Sequence, residues 1–348
     1  MPTQKAVVLE KKLGSFQVKD VARPSKPAKD EILVKVDAVG LNPVDWKVRK
    51  FGIYIDNYPV VLGTDIAGEV VELGENVTKF AKGDKVFFQG RLTDDNELSG
   101  FQQFAKADAL TTAKIPPNLT SAQAASIPVA FTAAYVGLYA ASPNGAGFEP
   151  PTTSSSKGKY TGTPIVILGG SSSVGQYVIQ LAHLSGFSPI IATSSLKHGQ
   201  FLKSLGATDI LDRSITPAEI QAAVEQRVGD SSVKLVYDAI SLADTQHLGL
   251  QLLAPGGQLA IVLLPAVEPK DDKAIIGVVV LKTLPYYVRL LRDLYANSLT
   301  GWLEDGSIKP NRVETLPNGL DGIMEGLKRL EEDKVSGAKL VALPQETA

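Results

Sequence analysis

Hydrophobic residues in the first third of the chain fall in short runs of β type, at residues 5–9, 31–41, 66–73, 85–89 and 101–107, with polar turns between them. Gly63, Gly68, Gly74, Gly83 and Gly100 punctuate these runs, a spacing that predicts a compact, barrel-like β domain. The rhythm changes after Pro128, where residues 130–141 read as a helix. The stretch 143–162, PNGAGFEPPTTSSSKGKYTG, holds too little apolar material to bury a core and predicts an exposed, mobile loop, either tolerated or functional.

From Thr163 onward strands and helices alternate. Apolar strands are expected at 164–168, 189–193, 209–211, 234–237 and 258–264, with helices at about 172–185, 197–205, 216–228 and 243–253 between them. Short buried strands alternating with helices predict an α/β fold with a parallel, doubly wound sheet. The tail adds a helix at 320–332 and a final strand at 339–343. The longest apolar runs, 259–264 and 274–281, are strand-sized and far short of a membrane span. The second of them is a candidate for pairing across a dimer, so both monomer and homodimer stay open.

Composition narrows the function. A chain of 348 residues suggests two domains, and 44% hydrophobic with 21% charged residues is ordinary for globular proteins. A formal net charge of −2 leaves no electrostatic footprint for nucleic acid and none for an anionic membrane surface. The first residues, MPTQKAVVLEKKLG, carry no long apolar stretch, so a cytoplasmic location is expected. Cysteine is absent, which excludes disulfides, thiolate metal sites and a catalytic thiol. A small molecule is the expected partner.

The chemistry begins at Gly169-Gly170-Ser171-Ser172-Ser173-Val174-Gly175, where the strand PIVIL runs into a helix. Small residues let the backbone approach a pyrophosphate, and the free N–H groups and dipole of the helix start favour its charge. The fingerprint is incomplete, because Ser172 stands where the middle glycine of G-x-G-x-x-G is usual. The plain alternative is a tight turn between strand and helix.

In NAD-binding folds an acidic residue after the second strand holds the ribose 2′-hydroxyl. Here that strand ends in Thr193-Ser194-Ser195-Leu196-Lys197-His198, without an acid. Hydroxyls and a cation suit a 2′-phosphate, and Arg213 after the third strand would add a second cation, so NADPH is the expected cofactor. The alternative leaves Lys197 and Arg213 as solvated surface charges.

Four segments carry a family resemblance: Gly40-Leu41-Asn42-Pro43-Val44-Asp45-Trp46-Lys47, then Leu62-Gly63-Thr64-Asp65-Ile66-Ala67-Gly68, then Phe131-Thr132-Ala133-Ala134-Tyr135, and finally Val335-Ser336-Gly337-Ala338-Lys339-Leu340-Val341. In this order the chain resembles the medium-chain dehydrogenase/reductase superfamily over nearly its whole length. The resemblance implies a GroES-like catalytic domain at 1–127, completed by 285–348, and a Rossmann domain at 128–284. In zinc alcohol dehydrogenases a cysteine stands at the place of Asn42 and a histidine at that of Thr64. Neither residue here is a good zinc ligand, the four-cysteine structural lobe is missing, and His183, His198 and His247 all lie in the expected cofactor domain. No metal is therefore expected.

By resemblance, Asn42, Val44, Asp45, Trp46 and Lys47 would neighbour the nicotinamide, with Thr132 near its carboxamide. Gly170, Ser171, Ser172, Ser173, Val174 and Gly175 would hold the pyrophosphate. Ser194, Ser195, Leu196, Lys197, His198 and Arg213 would hold the adenosine phosphate, Val262 and Leu263 would touch the nicotinamide end, and Ser336 with Gly337 would close over the cofactor. Lys47 and Tyr54 are the candidate catalytic groups, able to donate to an acceptor carbonyl. Their alternatives are an exposed helix lysine and an aromatic packed under a loop. Without a Lewis acid, the zinc-free branches imply hydride transfer to a quinone or to the activated C=C bond of an enone, enal or enoyl thioester. Two rivals remain: an NADPH-binding accessory protein with little turnover, and an alcohol dehydrogenase with an unrecognised metal.

Overall fold

The strand Glu31–Gly40 is buried along nearly its whole length and is the spine of the N-terminal fold: Val34, Val36 and Val39 lie in the core, while Lys35 is exposed. The computed structural model describes residues 2–270 and 272–348. Along the chain it forms β1 (Thr3–Leu9), β2 (Phe16–Ala22), β3 (Glu31–Gly40), α1 (Pro43–Phe51), β4 (Val60–Val61), β5 (Asp65–Leu73), β6 (Lys85–Gln89), β7 (Phe104–Asp108) and β8 (Thr112–Lys114). There follow α2 (Ser121–Ala124), α3 (Pro128–Tyr139), β9 (Ile165–Leu168), α4 (Ser173–Ser185), β10 (Ile190–Ser194), α5 (Gly199–Ser204), β11 (Asp209–Asp212), α6 (Pro217–Val228) and β12 (Leu235–Asp238). The remainder is α7 (Ala243–Leu252), β13 (Gln258–Ile261), β14 (Ala274–Gly277), α8 (Pro285–Asn297), α9 (Leu299–Glu304), β15 (Val313–Thr315), α10 (Gly322–Glu331) and β16 (Lys339–Ala342).

Two compact units result, one of residues 1–129, 292–304 and 310–348, the other of residues 130–291 and 305–309. In the first, a sheet ordered β15-β16-β3-β5-β6-β8, with β7 also on β3, accompanies a smaller sheet β2-β1-β4. Its core joins Val34, Val36, Ile66 and Phe88 to Leu316, Leu320 and Ile323 from the C-terminal segment. Burying such side chains stabilises by about 1.5–3 kcal/mol each, so the tail is integral to this unit.

The second unit is a six-stranded sheet in the order β11-β10-β9-β12-β13-β14, parallel throughout. Buried on both faces, its strands read as continuous apolar runs such as IVIL and LVYD. The chain order reverses between β9 and β12, the switch point beside which doubly wound folds bind ligands at the carboxyl ends of their strands.

The segment at 274–281, a candidate for pairing across a dimer, contributes β14, which pairs with β13 of its own chain on one side and is the last strand of the sheet. The stretch 143–162 forms no strand or helix, but it is pinned. Phe148, Tyr160 and Phe187 form a three-ring cluster with centroids 4.9–5.0 Å apart. Gly158 and Tyr160 donate backbone bonds to Leu184 and Ser185 at the end of α4. Two aromatic residues in a polar stretch were enough to anchor it. Among the described residues no helix is long and apolar enough to cross a membrane.

Candidate active site

Three glycines shape the turn between β9 and α4, each for its own reason. Gly169 has φ 79°, a left-handed conformation that other residues adopt at a cost. A Cβ on Gly170 would come within 2.8 Å of the Ala192 Cβ on β10, and one on Gly175 within 2.3 Å of the Gly169 carbonyl oxygen. Ser172, at the irregular position of the fingerprint, caps α4: its hydroxyl accepts the Gly175 N–H at 3.0 Å. The adjoining strand steadies the turn, for Thr193 accepts the Gly169 N–H through its hydroxyl and the Gly170 N–H through its carbonyl. The result is a bare backbone cradle at the N-terminus of a thirteen-residue helix, which suits a pyrophosphate.

Beside it, β10 ends on Ser194, followed by the short turn Leu196–His198 that buries His198 and leaves Lys197 exposed. The Arg213 N–H donates to the Ser194 carbonyl at 3.0 Å, so the ends of β10 and β11 lie together and bring the exposed Arg213 into their group. The nearest acid, Asp212, is engaged with the Ser214 N–H and hydroxyl, which hold its carboxyl below the usual carboxylate range.

Sequence reasoning missed the support at the ends of β12 and β13. Asp238 is buried and accepts the N–H groups of Ile240 and Ser241 and the Thr245 hydroxyl, while burial raises its pKa. Ser241, at φ 60°, accepts the Val262 N–H at 2.8 Å. Gln246 donates to the Ser241 and Leu264 carbonyls and accepts the Ala266 N–H. Val262 and Leu263 are thereby held by buried amides and hydroxyls. The only sequence signal was polar residues inside an apolar stretch. Thr132 is buried within α3, whose neighbouring Ala133 carbonyl accepts the Tyr237 hydroxyl at 2.9 Å.

In the first unit, Asn42 precedes α1, and Asp45 accepts its N–H at 2.8 Å, the backward bond of a capping box. The other Asp45 oxygen, Oδ1, is buried and has no hydrogen-bond partner. Burial pushes the Asp45 pKa up to about 7 against the partial relief of the Asn42 N–H and the Lys339 charge. Lys47 is half-buried, its pKa lowered by desolvation and opposed by Asp333, and its ammonium lies 5.6 Å from the Trp46 ring centroid. Val44 and Trp46 pack against the core of this unit. Tyr54 is 67% exposed at φ 69°, which removes the reading of an aromatic packed under a loop. Ser336 and Gly337 lead directly into β16.

That strand carries a residue with no role in the sequence-based reading. Lys339 is 3% exposed, and its ammonium lies 2.6 Å from Asp65 Oδ2 and donates at 2.6 Å to Asn42 Oδ1. Asn42 Nδ2 donates to the same Asp65 oxygen at 2.9 Å, and Asp65 Oδ1 accepts the Val129 N–H at 2.6 Å. A parallel sheet with a glycine cradle in one unit, and in the other a β fold with this buried network, define a two-unit dehydrogenase or reductase of nucleotide-binding type.

The comparisons agree with that class. The alcohol dehydrogenase GroES-like domain matches residues 28–117, and the zinc-binding dehydrogenase domain matches residues 173–285. A zinc-type alcohol dehydrogenase-like protein of Schizosaccharomyces pombe is 30% identical over 97% of this chain and 99% of its own. A trans-enoyl reductase of Aspergillus japonicus is 33% identical over 89% of each chain. The crystal structure of an alcohol dehydrogenase superfamily protein from Novosphingobium aromaticivorans superposes with TM-score 0.80 at 25% identity, covering 97% of this chain and 99% of the other. The chain belongs to the medium-chain dehydrogenase/reductase superfamily of oxidoreductases.

The zinc of one matching domain's description does not fit these residues. At the place of the ligands, Asn42 Oδ1 and Asp65 Oδ2 already accept from the Lys339 ammonium, and Asn42 Nδ2 is itself a donor. A dication there would meet a fixed positive charge. Among the described residues no group of three or more His, Cys, Asp or Glu side chains is placed to hold a metal.

Proposed function

We propose that this chain reduces electron-poor double bonds, the activated C=C of enones, enals and enoyl thioesters or the equivalent bond of a quinone, at the expense of NADPH. The observation that carries the reading is the pairing of a glycine cradle at α4 with hydroxyls and a cation, and no acid, in the turn that follows β10 along the chain, joined by Arg213 from the end of β11. The trans-enoyl reductase relative supports the acceptor class.

Gly170 and Gly175 would admit the pyrophosphate, and the N–H groups at the start of α4 would bind it. Ser194, Ser195, Lys197 and Arg213 would bind the 2′-phosphate. The bound nicotinamide would supply a hydride. Val262 and Leu263, next to Ser241 and Gln246, would bound its site, and by the family resemblance Asn42–Lys47 would be further nicotinamide neighbours. Reduction of an enone leaves negative charge on the carbonyl oxygen, which needs a hydrogen-bond donor. Lys47, made a more willing proton donor by partial burial, and the exposed Tyr54 hydroxyl are the groups for that role.

The test is a panel of quinones, enals, enones and enoyl thioesters, followed by loss of nicotinamide absorbance with NADPH and NADH in parallel. Consumption of NADPH in preference to NADH with at least one acceptor is expected. Tight NADPH binding without consumption would point to an accessory role. Oxidation of a simple alcohol abolished by a chelator would replace the reading with a metal-dependent one.

A further inference from the structure

Buried ion pairs stabilise weakly compared with apolar packing of equal volume, so a lysine held at 3% exposure against one carboxylate calls for a second reason. The geometry supplies one. The ammonium is divided between Asp65 and the Asn42 side chain, and Asn42 opens the segment proposed above, by the family resemblance, as a neighbour of the nicotinamide. The backbone brings the two together, since the Leu41 N–H donates to the Leu340 carbonyl at 2.9 Å. Gly40 makes the room: a Cβ there would stand 3.0 Å from Lys339 Cε and 2.4 Å from the Ala125 carbonyl oxygen. We propose that Lys339 is a positioning residue, whose ammonium supplies a fixed cation around which Asn42 and Asp65 are organised, at the place where zinc members of the superfamily put a metal.

The consequences follow from charge and donor number. An ammonium cannot exchange ligands or polarise a substrate as a Lewis acid. It can lock the Asn42 amide, with Oδ1 bound to Lys339 and Nδ2 to Asp65, so that the amide has one orientation and Asn42–Lys47 starts from a fixed point. The same charge relieves only part of the desolvation that raises the pKa of the buried Asp45 nearby. This inference rests on the reductase reading for its kinetic readout only.

Because the chain has no cysteine, Lys339→Cys introduces the only thiol. Alkylation of the unfolded variant with 2-bromoethylamine restores an ammonium at nearly the original length, and 2-bromoethanol gives a neutral hydroxyl of the same length. The parent chain, taken through the same unfolding, reagent and refolding, is the control. Melting temperature, NADPH binding by fluorescence, and kcat with KM for an acceptor are then compared. The amine adduct is expected to recover parental melting, NADPH affinity and kcat to within about threefold, while the hydroxyl adduct folds with a lower melting temperature and loses at least about tenfold in kcat or NADPH affinity, the scale of a charged hydrogen bond. A hydroxyl adduct with parental kcat and affinity overturns the proposal, as does an amine adduct that melts like the parent but stays impaired. If the parent neither binds NADPH nor reduces any acceptor, it is the reductase reading that fails. The inference is then decided by melting alone, and equal melting of the two adducts overturns it.

Discussion

Asp45 accepts the backbone N–H of Asn42 at 2.8 Å through one carboxyl oxygen, while its other oxygen is buried without a partner. The carboxyl therefore behaves as half of a helix cap and half of a desolvated acid, and its pKa rises from 3.8 to about 7. A folded-state pKa above the unfolded one means that the native chain holds the proton longer. The stability contributed by the neutral group is whole below about pH 4, falls as pH rises, and is lost above about pH 7. Asp45→Asn keeps an acceptor for the Asn42 N–H and removes this loss. Urea unfolding at a series of pH values should show the variant and the parent equal in acid. The variant should gain a few kcal/mol above neutrality, at about 1.4 kcal/mol per tenfold change in proton affinity. Parallel pH profiles would show that Asp45 holds its proton no more tightly in the fold than in the unfolded chain.

Gly175 offers a steric test of the cradle. The methyl group of Gly175→Ala would lie 2.3 Å from the Gly169 carbonyl oxygen, a backbone atom that cannot rotate away. The substitution should cost about 1–3 kcal/mol by overpacking and displace the start of α4. Dinucleotide affinity measured by calorimetry should fall more steeply than stability. Unaltered affinity would remove this turn from the cofactor site.

Lys197 and Arg213 are both exposed, so their charges act in a screened environment. Replacing both with alanine should weaken NADPH roughly tenfold or more, the loss shrinking at high salt, because each charge-assisted contact to phosphate contributes about 1.5–3 kcal/mol before screening. NADH affinity should hardly change. Equal losses for the two dinucleotides would contradict the assignment of the 2′-phosphate.

Tyr54 carries a side chain where glycine would be easier, at φ 69°, and the residue is 67% exposed. Strain of about 1 kcal/mol or more in a non-glycine residue of this kind tends to mark functional positions. Tyr54→Gly should raise the unfolding free energy by about 1 kcal/mol and lower kcat. Tyr54→Phe should keep parental stability and share the loss of kcat. If Tyr54→Phe turns over at the parental rate, the hydroxyl takes no part in the reaction.

How much of this the sequence revealed depends on distance along the chain. The parallel sheet was legible because buried strands and intervening helices leave their periods in consecutive residues, and IVIL before a glycine turn and a helix is a local pattern. Short strands such as β4 and β15 were not, since two or three residues hold no period. The stretch 143–162 is the exposed loop its composition implies, but its anchoring was not legible, because composition records average polarity whereas Phe148 and Tyr160 find Phe187 only in three dimensions.

The sequence by itself determined the α/β class, the glycine turn, the absence of thiols and the loss of the zinc-ligand residue types at Asn42 and Thr64. Tertiary structure alone decided what stands there in their stead. Lys339 meets Asn42 across 297 residues of chain because β16 pairs with β3 and Gly40 leaves space for its stem. A pairing of that kind leaves no local mark, since any lysine in an apolar strand looks alike until folding removes the water and brings Asp65 to its ammonium.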